Sequence, residues 1–295
     1  MAGQPFLHPD GVSRADHDAR FMDEALDLAR AVEGRTWPNP PVGAVVVKDG
    51  RIVGRGAHAG PGTEHAEPRA LRMAGDQARG ATLYVTLEPC NHTGRTGPCA
   101  PAVATSGVTR VVVAMRDPNP GVAGGGCRWL RDRGLDVTIG ARAEQALDLV
   151  WPFVCTDNFA RPYLELKTAV SLDGRFAPPE TERREKRPVF LTGPASREEV
   201  HRRRRWMDLV LVGEGTARAD TPKLDGRQAR PGTCPAADPQ AGYVDTDLSW
   251  TGGLDRDRYL VFTSEESADS PNRETIEKDG GEIILCLTRD GRVDP

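Results

Sequence analysis

Residues 65–67 read His-Ala-Glu, and residues 89–99 read Pro-Cys-Asn-His-Thr-Gly-Arg-Thr-Gly-Pro-Cys. The surrounding pattern predicts that His65 opens a helix, that Cys90 follows a strand and that Cys99 opens a second helix. One imidazole and two thiolates are ligands that suit zinc, and three protein ligands leave a fourth position for water, as in catalytic zinc sites. We therefore predict that His65, Cys90 and Cys99 bind zinc.

Glu67 lies two residues after the predicted ligand His65, so it can sit beside the metal without binding it. Zinc lowers the pKa of bound water to about 7, and a carboxylate there can take a proton from water and deliver it to a ring nitrogen and then to ammonia. Zinc deaminases carry His-x-Glu followed by Pro-Cys-x-x-Cys; here eight residues, rather than two, separate Cys90 from Cys99. We predict a hydrolytic deaminase in which Glu67 is the catalytic acid and base.

The composition is that of a globular chain without a strong charge. The 295 residues suit one large domain or two ordinary ones, and the 38% hydrophobic content is enough for a buried core. Lys and Arg number 39 against 43 Asp and Glu, a net charge of -4, which argues against general binding to nucleic acid. With neither a signal-peptide pattern nor an 18-residue apolar run, we expect a cytoplasmic protein that does not enter membranes. The six scattered cysteines are expected to be thiols or metal ligands rather than disulfides.

Helices and strands are predicted to alternate in the first half, which indicates a layered α/β sheet. The predicted elements there are a helix at 16–32, a hairpin at 42–53 that turns at Asp49-Gly50, a helix at 65–74, strands at 82–87, 110–115 and 135–139, and helices at 99–106, 127–133 and 143–157. The predicted organisation is a flexible arm at 1–15, a zinc domain at 16–158 and a second domain at 159–295. In the second domain we predict strands at 163–170, 209–212, 259–263 and 282–287, a helix at 195–205 and a loop at 228–240.

Residues 88–99 closely resemble a run found in the bifunctional deaminase/reductase family of riboflavin biosynthesis, Glu-Pro-Cys-x-His-x-Gly-[Arg/Lys]-Thr-x-Pro-Cys. Residues 38–44 (Pro-Asn-Pro-Pro-Val-Gly-Ala), 54–58 (Gly-x-Gly-x-His) and 117–120 (Asp-Pro-Asn-Pro) are also similar to that family. The resemblance covers about residues 20–227. It implies a cytidine-deaminase-like three-layer domain followed by an α/β domain that resembles dihydrofolate reductase.

The resemblance also implies a substrate and the residues that contact it. The family acts on a diaminopyrimidinone that carries a phosphoribosylamino group, and it replaces the ring 2-amino group with oxygen. The positions that contact the pyrimidine correspond here to Asn39, His58, His92 and Arg95. Amides and imidazoles can match the donors and acceptors of a ring, and Arg95 suits a phosphate.

In the second domain, residues 166–175, 191–194, 211–213 and 216–227 resemble the family's reductase, which uses NADPH to reduce the ribosyl group to an open-chain ribityl group. The resemblance implies cofactor contacts at Val170, Phe190, Thr192, Thr216 and Asp220. It implies substrate contacts at Arg204, Leu224 and Arg227, where two guanidinium groups suit a sugar phosphate. The alternative for the basic run 201–205 is a solvated helix face, and only Arg204 fits the family pattern.

The reductase half also departs from the family. Pro188 occupies the position of a serine, and Thr221 occupies that of a second aspartate. We find no late Val-Glu-Gly-Gly stretch that would open a helix against the cofactor's phosphates, and Gly280-Gly281 precedes a predicted strand instead. We therefore expect a reductase-like domain that is incomplete at its C-terminus, with open sheet edges covered by homo-oligomerisation or a poorly ordered tail.

Other functions remain open at this stage. One is a protein of the same pathway with deaminase activity alone. Another is a nucleic-acid or nucleoside deaminase, although the acidic balance and the 5% aromatic content argue against base flipping. A third is a non-catalytic zinc scaffold, which would have no use for Glu67. We expect a small-molecule substrate, a homo-oligomer, and no nucleic-acid or membrane partner.

Overall fold

The computed structural model describes residues 13–92, 97–119, 125–176, 190–229, 238–290 and 292–293. Arg95, Pro188 and most of the predicted N-terminal arm lie outside these residues. The chain divides into two compact units, Met1–Glu165 and Leu166–Pro295. Among the described residues, no helix combines the length and the apolar character needed to cross a bilayer.

The first unit is built on one mixed sheet. Its elements are α1 (Arg14–Arg30), β1 (Gly43–Lys48), β2 (Arg51–Ala57), α2 (Ala66–Ala74), β3 (Thr82–Leu87), α3 (Cys99–Thr105), β4 (Arg110–Met115), α4 (Gly125–Arg131), β5 (Asp136–Ile139) and α5 (Ala143–Phe159). The strand order is β2-β1-β3-β4-β5. The β1 strand pairs antiparallel with β2 and β3, whereas β3, β4 and β5 are parallel. The predicted hairpin is confirmed, and its turn residues Asp49 and Gly50 have φ of 48° and 72°.

Alternate side chains of the strands pack on opposite faces of this sheet. On β1, Ala44 and Val46 belong to a core with α2, α3 and α4, whereas Val45 and Val47 belong to a core with α1 and α5. Helices therefore cover both faces, which confirms the predicted three-layer architecture.

Glycines in the β1–β2 hairpin allow the helices to lie very close to the sheet. A Cβ atom on Gly56 would lie 2.1 Å from the carbonyl oxygen of Ala66, in the first turn of α2. A Cβ atom on Gly43 would lie 2.0 Å from the carbonyl oxygen of Ala25 in α1. Both distances are far below van der Waals contact, so only glycine fits. The contact at Gly56 fixes the N-terminus of α2, where His65 and Glu67 lie.

The second unit contains a parallel sheet with the strand order β6-β7-β8-β9. Its elements are α6 (Pro194–Arg204), β6 (Leu209–Gly213), α7 (Glu214–Asp220), β7 (Gln240–Val244), β8 (Tyr259–Ser264), α8 (Arg273–Lys278), β9 (Gly281–Cys286), β10 (Thr288–Arg289) and β11 (Arg292–Val293). Its core joins α7, α8 and the strands around Tyr243, Tyr259 and Val261. As expected, Gly280-Gly281 leads into a strand.

The predicted strand at 163–170 is wrong. These residues form no strand, and the side chains of Leu164 and Leu166 are 84% and 89% exposed. The alternation of apolar and polar residues is present, but a strand also needs a partner for its backbone groups. The four-stranded sheet of the described residues does not include this segment.

The strands predicted for the second domain also omit β7, which lies between β6 and β8 in the sheet, and the short β10 and β11. The sequence of β7, Gln-Ala-Gly-Tyr-Val, lacks the β-branched run that marks a strand. Small residues are required here, since a Cβ atom on Gly242 would lie 2.9 Å from both Leu211 Cδ2 and the Leu260 carbonyl oxygen. Close packing of the neighbouring strands therefore requires small residues in β7, and small residues do not give the sequence pattern that predicts a strand.

Candidate active site

Three predicted ligands meet in the first unit. His65 is the N-cap of α2, Cys90 follows β3, and Cys99 is the first residue of α3. Their ligand atoms lie within 4.8 Å of one another. His65 Nδ1 lies 3.2 Å from Cys99 Sγ and 3.7 Å from Cys90 Sγ. Tetrahedral zinc places a ligand nitrogen and a ligand sulfur about 3.5 Å apart, so the donor set and its spacing fit this metal.

Local hydrogen bonds prepare the Cys90 sulfur for a metal. The backbone amide of Cys99 donates to Cys90 Sγ at 3.3 Å, and the backbone amide of Ala100 donates to the Cys90 carbonyl at 3.0 Å. Hydrogen bonding from Cys99 and from His65 lowers the pKa of the Cys90 thiol to about 4. The thiolate is the form that binds metals, so Cys90 is ready to act as a ligand at neutral pH.

Glu67, the second residue of α2, lies beside these ligands and is buried, with 3% of its surface exposed. Burial raises its pKa to about 7, and the negative charge of Cys90 adds to the rise while His65 opposes it. A buried carboxyl beside three metal ligands is placed for proton transfer rather than for solvation.

Two of the predicted pyrimidine contacts lie next to this cluster. The amide nitrogen of Asn39 is 3.0 Å from His58 Nε2, and the His58 ring meets the His65 ring edge-on at 5.1 Å between centroids. His58 comes directly after β2, and its backbone amide donates to the Val42 carbonyl at 3.0 Å, which extends the hairpin pairing. The hairpin thus brings Asn39 and His58 to the zinc ligands.

The remaining predicted contacts of the first unit lie on the loop after Cys90. His92 is exposed, and its charge opposes the rise that burial causes in the pKa of Asp117. Arg95 lies outside the described residues. One residue that sequence reasoning did not single out is Glu88, which is buried and accepts hydrogen bonds from the backbone of Asp117, after β4, and of Cys127, in α4. Its position directly before Pro89-Cys90, in a run otherwise full of predicted site residues, was the available signal.

In the second unit, the structure brings Arg204 and Arg227 together at Asp225. Arg227 donates to the Asp225 carboxylate, and Arg204 Nη1 donates to the Asp225 carbonyl at 3.3 Å. Burial, and then the neighbouring charge of Arg227, lowers the pKa of Arg204. His201 Nδ1 lies 2.8 Å from the same carbonyl. Sequence reasoning missed both His201 and Asp225, because nothing in the basic run at 201–205 shows which side chains turn inward.

Leu224, the third predicted substrate contact in this unit, has a different environment. Its side chain is 2% exposed and belongs to the core with Ala217 and Tyr243. Its φ of 52° places it in the left-handed region, next to the Asp225 cluster. A ligand at this cluster would therefore meet the backbone of Leu224 rather than its side chain.

The five predicted cofactor contacts are spread over several segments. Val170 lies in the extended segment after the first unit, and Phe190 and Thr192 precede α6. The Arg197 guanidinium lies 4.6 Å from the centroid of the Phe190 ring and donates to the Thr192 carbonyl at 2.6 Å. Thr216 and Asp220 are exposed and four residues apart on α7, which begins directly after β6 at the carboxyl edge of the parallel sheet.

Comparisons with known proteins agree with both units. The family model for the cytidine and deoxycytidylate deaminase zinc-binding region matches residues 15–115, and the model for the RibD C-terminal domain matches residues 162–294. The solved structure of Acinetobacter baumannii RibD is 36% identical, with a TM-score of 0.72 over 93% of this chain and 75% of that one. The chain belongs to the RibD family. A Thermotoga maritima RibD-type structure, a diaminohydroxyphosphoribosylaminopyrimidine deaminase/5-amino-6-(5-phosphoribosylamino)uracil reductase, is 35% identical, with a TM-score of 0.71 over 91% of this chain and 81% of that one.

Among the curated relatives, RibD of Bacillus amyloliquefaciens is 46% identical over 207 residues, which are 70% of this chain and 54% of that protein. The chain thus spans about half the length of the curated relatives it matches. These matches confirm the resemblance to the riboflavin family and the predicted fold of both RibD domains.

Proposed function

We propose that this chain catalyses the hydrolytic deamination of a diaminopyrimidinone that carries a phosphoribosylamino group, a step of riboflavin synthesis. The observation that carries the proposal is the convergence of His65, Cys90 and Cys99 with the buried carboxyl of Glu67. A structural zinc site is closed by four protein ligands, whereas this donor set supplies three.

His65, Cys90 and Cys99 would hold the zinc ion, which when bound lowers the pKa of a water molecule to about 7. Glu67 would accept one proton of the attacking water and pass it to the ring nitrogen, and would then carry the second proton of that water to the amino group as its C–N bond breaks and ammonia leaves. Because Glu67 is buried, bulk water does not compete for these protons. Asn39 and His58 orient the pyrimidine by matching its donors and acceptors, and His92 and Arg95 complete the substrate contacts.

A small-molecule substrate is favoured over nucleic acid. The net charge is -4, and only 5% of residues are aromatic, whereas a base-flipping enzyme needs a basic surface and stacking side chains. We also retain the prediction of a homo-oligomer, which sedimentation of the purified chain would test.

The second candidate activity is reduction of the ribosyl group with NADPH. It is favoured by the match of residues 162–294 to the RibD C-terminal domain and by the cluster of Arg204 and Arg227, which suits a sugar phosphate. The residues around the β6–α7 junction fit a nucleotide, because Gly213 and Gly215 have open space where a Cβ atom would lie, at the edge of a parallel sheet where ligands bind. Phe190, Thr192, Thr216 and Asp220 would hold NADPH, which supplies a hydride, and Val170 would line the same site.

The test combines zinc analysis with an assay of ammonia release from the diaminopyrimidinone ribosyl phosphate, with tRNA as the competing substrate. We expect about one zinc ion per chain and ammonia from the nucleotide alone. NADPH is then added, and its oxidation would establish the second activity. Ammonia release without NADPH oxidation would leave a deaminase alone, and a chain without zinc and without ammonia release would refute the proposal.

A further inference from the structure

Glu88 lies between β3 and the predicted zinc ligand Cys90, and its carboxylate joins three parts of the first unit. Its Oε1 accepts the backbone amide of Cys127, in the first turn of α4, at 2.8 Å. Its Oε2 accepts the backbone amide of Asp117, just beyond the end of β4, at 3.3 Å. The Glu88 backbone amide in turn donates to the Met115 carbonyl at 3.1 Å. One buried side chain therefore ties the end of β3 to β4 and to α4.

The next residue, Pro89, is in contact with α4. A Cβ atom on Gly126 would lie 1.8 Å from the Pro89 carbonyl oxygen, so the helix touches the chain just before Cys90 and only glycine allows the approach. Gly125, one residue earlier in the same helical turn, has nothing within 4 Å of its Cβ position. Gly126 is therefore buried against Pro89 and Glu88, whereas Gly125 is exposed and touches neither residue.

Cys90 itself is held by two hydrogen bonds from the first residues of α3. The Cys99 and Ala100 amides donate to its sulfur and to its carbonyl oxygen. The Glu88 carboxylate and the Gly126 contact fix the chain that leads into Cys90, and α3 fixes Cys90 itself. The Cys90 sulfur then has little freedom to move relative to His65 and Cys99.

We propose that Glu88 is a positioning residue for Cys90, acting with the Gly126–Pro89 contact to set the place of the sulfur in the metal site. The inference rests on the proposed function, because it requires that Cys90 bind zinc. A carboxylate is needed at this position, since each of its oxygens accepts an N–H, whereas an amide has one acceptor and would turn its NH2 group toward the second donor.

The experiment compares the wild-type chain with E88Q, G126A and the matched control G125A. Each protein is loaded with Co²⁺, whose ligand-field absorption reports the geometry of the thiolate ligands, and its zinc affinity is measured by competition with a chelating dye. We expect E88Q and G126A to shift the cobalt spectrum and to weaken zinc binding by about 10- to 100-fold, the usual effect of losing a group that orients a ligand. We expect G125A to match the wild type.

The controls separate positioning from folding. Circular dichroism and urea unfolding of each variant identify loss of structure. If E88Q does not fold, the G126A and G125A pair still tests whether the Gly126–Pro89 contact sets the place of the Cys90 sulfur. Wild-type spectra and zinc affinity in folded E88Q and G126A would overturn the positioning role and leave the deaminase proposal intact. A wild-type chain that binds neither metal would overturn both.

Discussion

The amide nitrogen of Asn39 lies 3.0 Å from Nε2 of His58. Because an amide N–H donates, this contact matches the neutral tautomer of His58 in which Nε2 accepts and Nδ1 carries the ring proton. Burial, and then the neighbouring His65, lowers the pKa of His58, which favours this neutral form. This contact therefore joins the two loops that flank the β1–β2 hairpin beside the zinc ligands.

The first prediction concerns this pair. N39A and H58A should each raise KM for the pyrimidine nucleotide, by about tenfold, the effect of losing about 1.4 kcal/mol of binding. Because the side chains contact each other, the double variant should depart from additivity by about 0.5–3 kcal/mol. Steady-state kinetics of the four proteins at equal zinc content give this coupling. Additive losses would mean that the two residues act independently.

The second prediction separates the metal from the proton carrier. E67Q removes the acid-base function but none of the three ligands, so it should keep its zinc while kcat for ammonia release falls by about 10²- to 10⁴-fold. C99S removes a ligand and should lose both zinc and activity. Zinc analysis beside the kinetic assay distinguishes the two variants. Normal kcat in zinc-loaded E67Q would refute the acid-base role of Glu67.

The zinc cluster was predictable from sequence because each ligand lies next to an element boundary that has its own signal. His65 precedes a helix whose apolar residues recur at helical spacing, and Cys90 follows an apolar strand. Because β3 and β4 are parallel, their carboxyl ends lie at the same edge of the sheet, and Cys90 follows the end of β3 there. Asn39 and His58 came from family resemblance, and the hairpin at Asp49-Gly50 explains why they meet.

What the sequence could not show depends on partners distant in the chain. The segment 163–170 alternates like a strand, but no local pattern reveals whether another strand pairs with it. Asp225 became recognisable only when α6 placed Arg204 against it, 21 residues apart in sequence. Glu88 likewise has its role through the backbone of residues 117 and 127.

The third prediction concerns a buried ion pair between α1 and β4, formed by Asp18 and Arg110. Arg110 donates to both oxygens of Asp18, at 2.7 and 2.5 Å, and Tyr84 donates to the same carboxylate at 3.0 Å. Removing one partner of a buried pair costs about 3–5 kcal/mol when the other charge is left uncompensated, and here Asp136, 3.5 Å from Arg110 Nε, offsets part of that cost. We expect D18N to lower the free energy of unfolding of the first unit by an amount near that range.

The matched control is D23N, which breaks the exposed pair of Asp23 with Arg142, whose side chains are 48% and 39% exposed. Exposed pairs contribute about 0–1 kcal/mol, so D23N should be nearly neutral. Urea unfolding followed by circular dichroism gives both values. Equal small effects would show that the Asp18 pair is solvated in solution.

The fourth prediction uses pH to test the Asp225 cluster. His201 is buried, and burial, with the charges of Arg204 and Arg227, lowers its pKa below the ordinary value of 6.5, although the carbonyl and carboxylate of Asp225 oppose this. Below pH 6.5 the unfolded chain therefore binds a proton that the folded unit resists. The free energy of unfolding of the second unit is therefore at its full value above that pH. It falls as the pH drops toward the folded-state pKa of His201, by up to about 1.4 kcal/mol per pH unit. Hydrogen exchange of the α6 amides at about pH 5.5 and about pH 7.5, corrected for intrinsic rates, measures this loss.

H201Q keeps a donor for the Asp225 carbonyl but does not titrate, so its α6 amides should lose less protection between the two pH values. An identical loss in H201Q and the wild type would place the titrating group elsewhere and remove His201 from the electrostatics of the cluster.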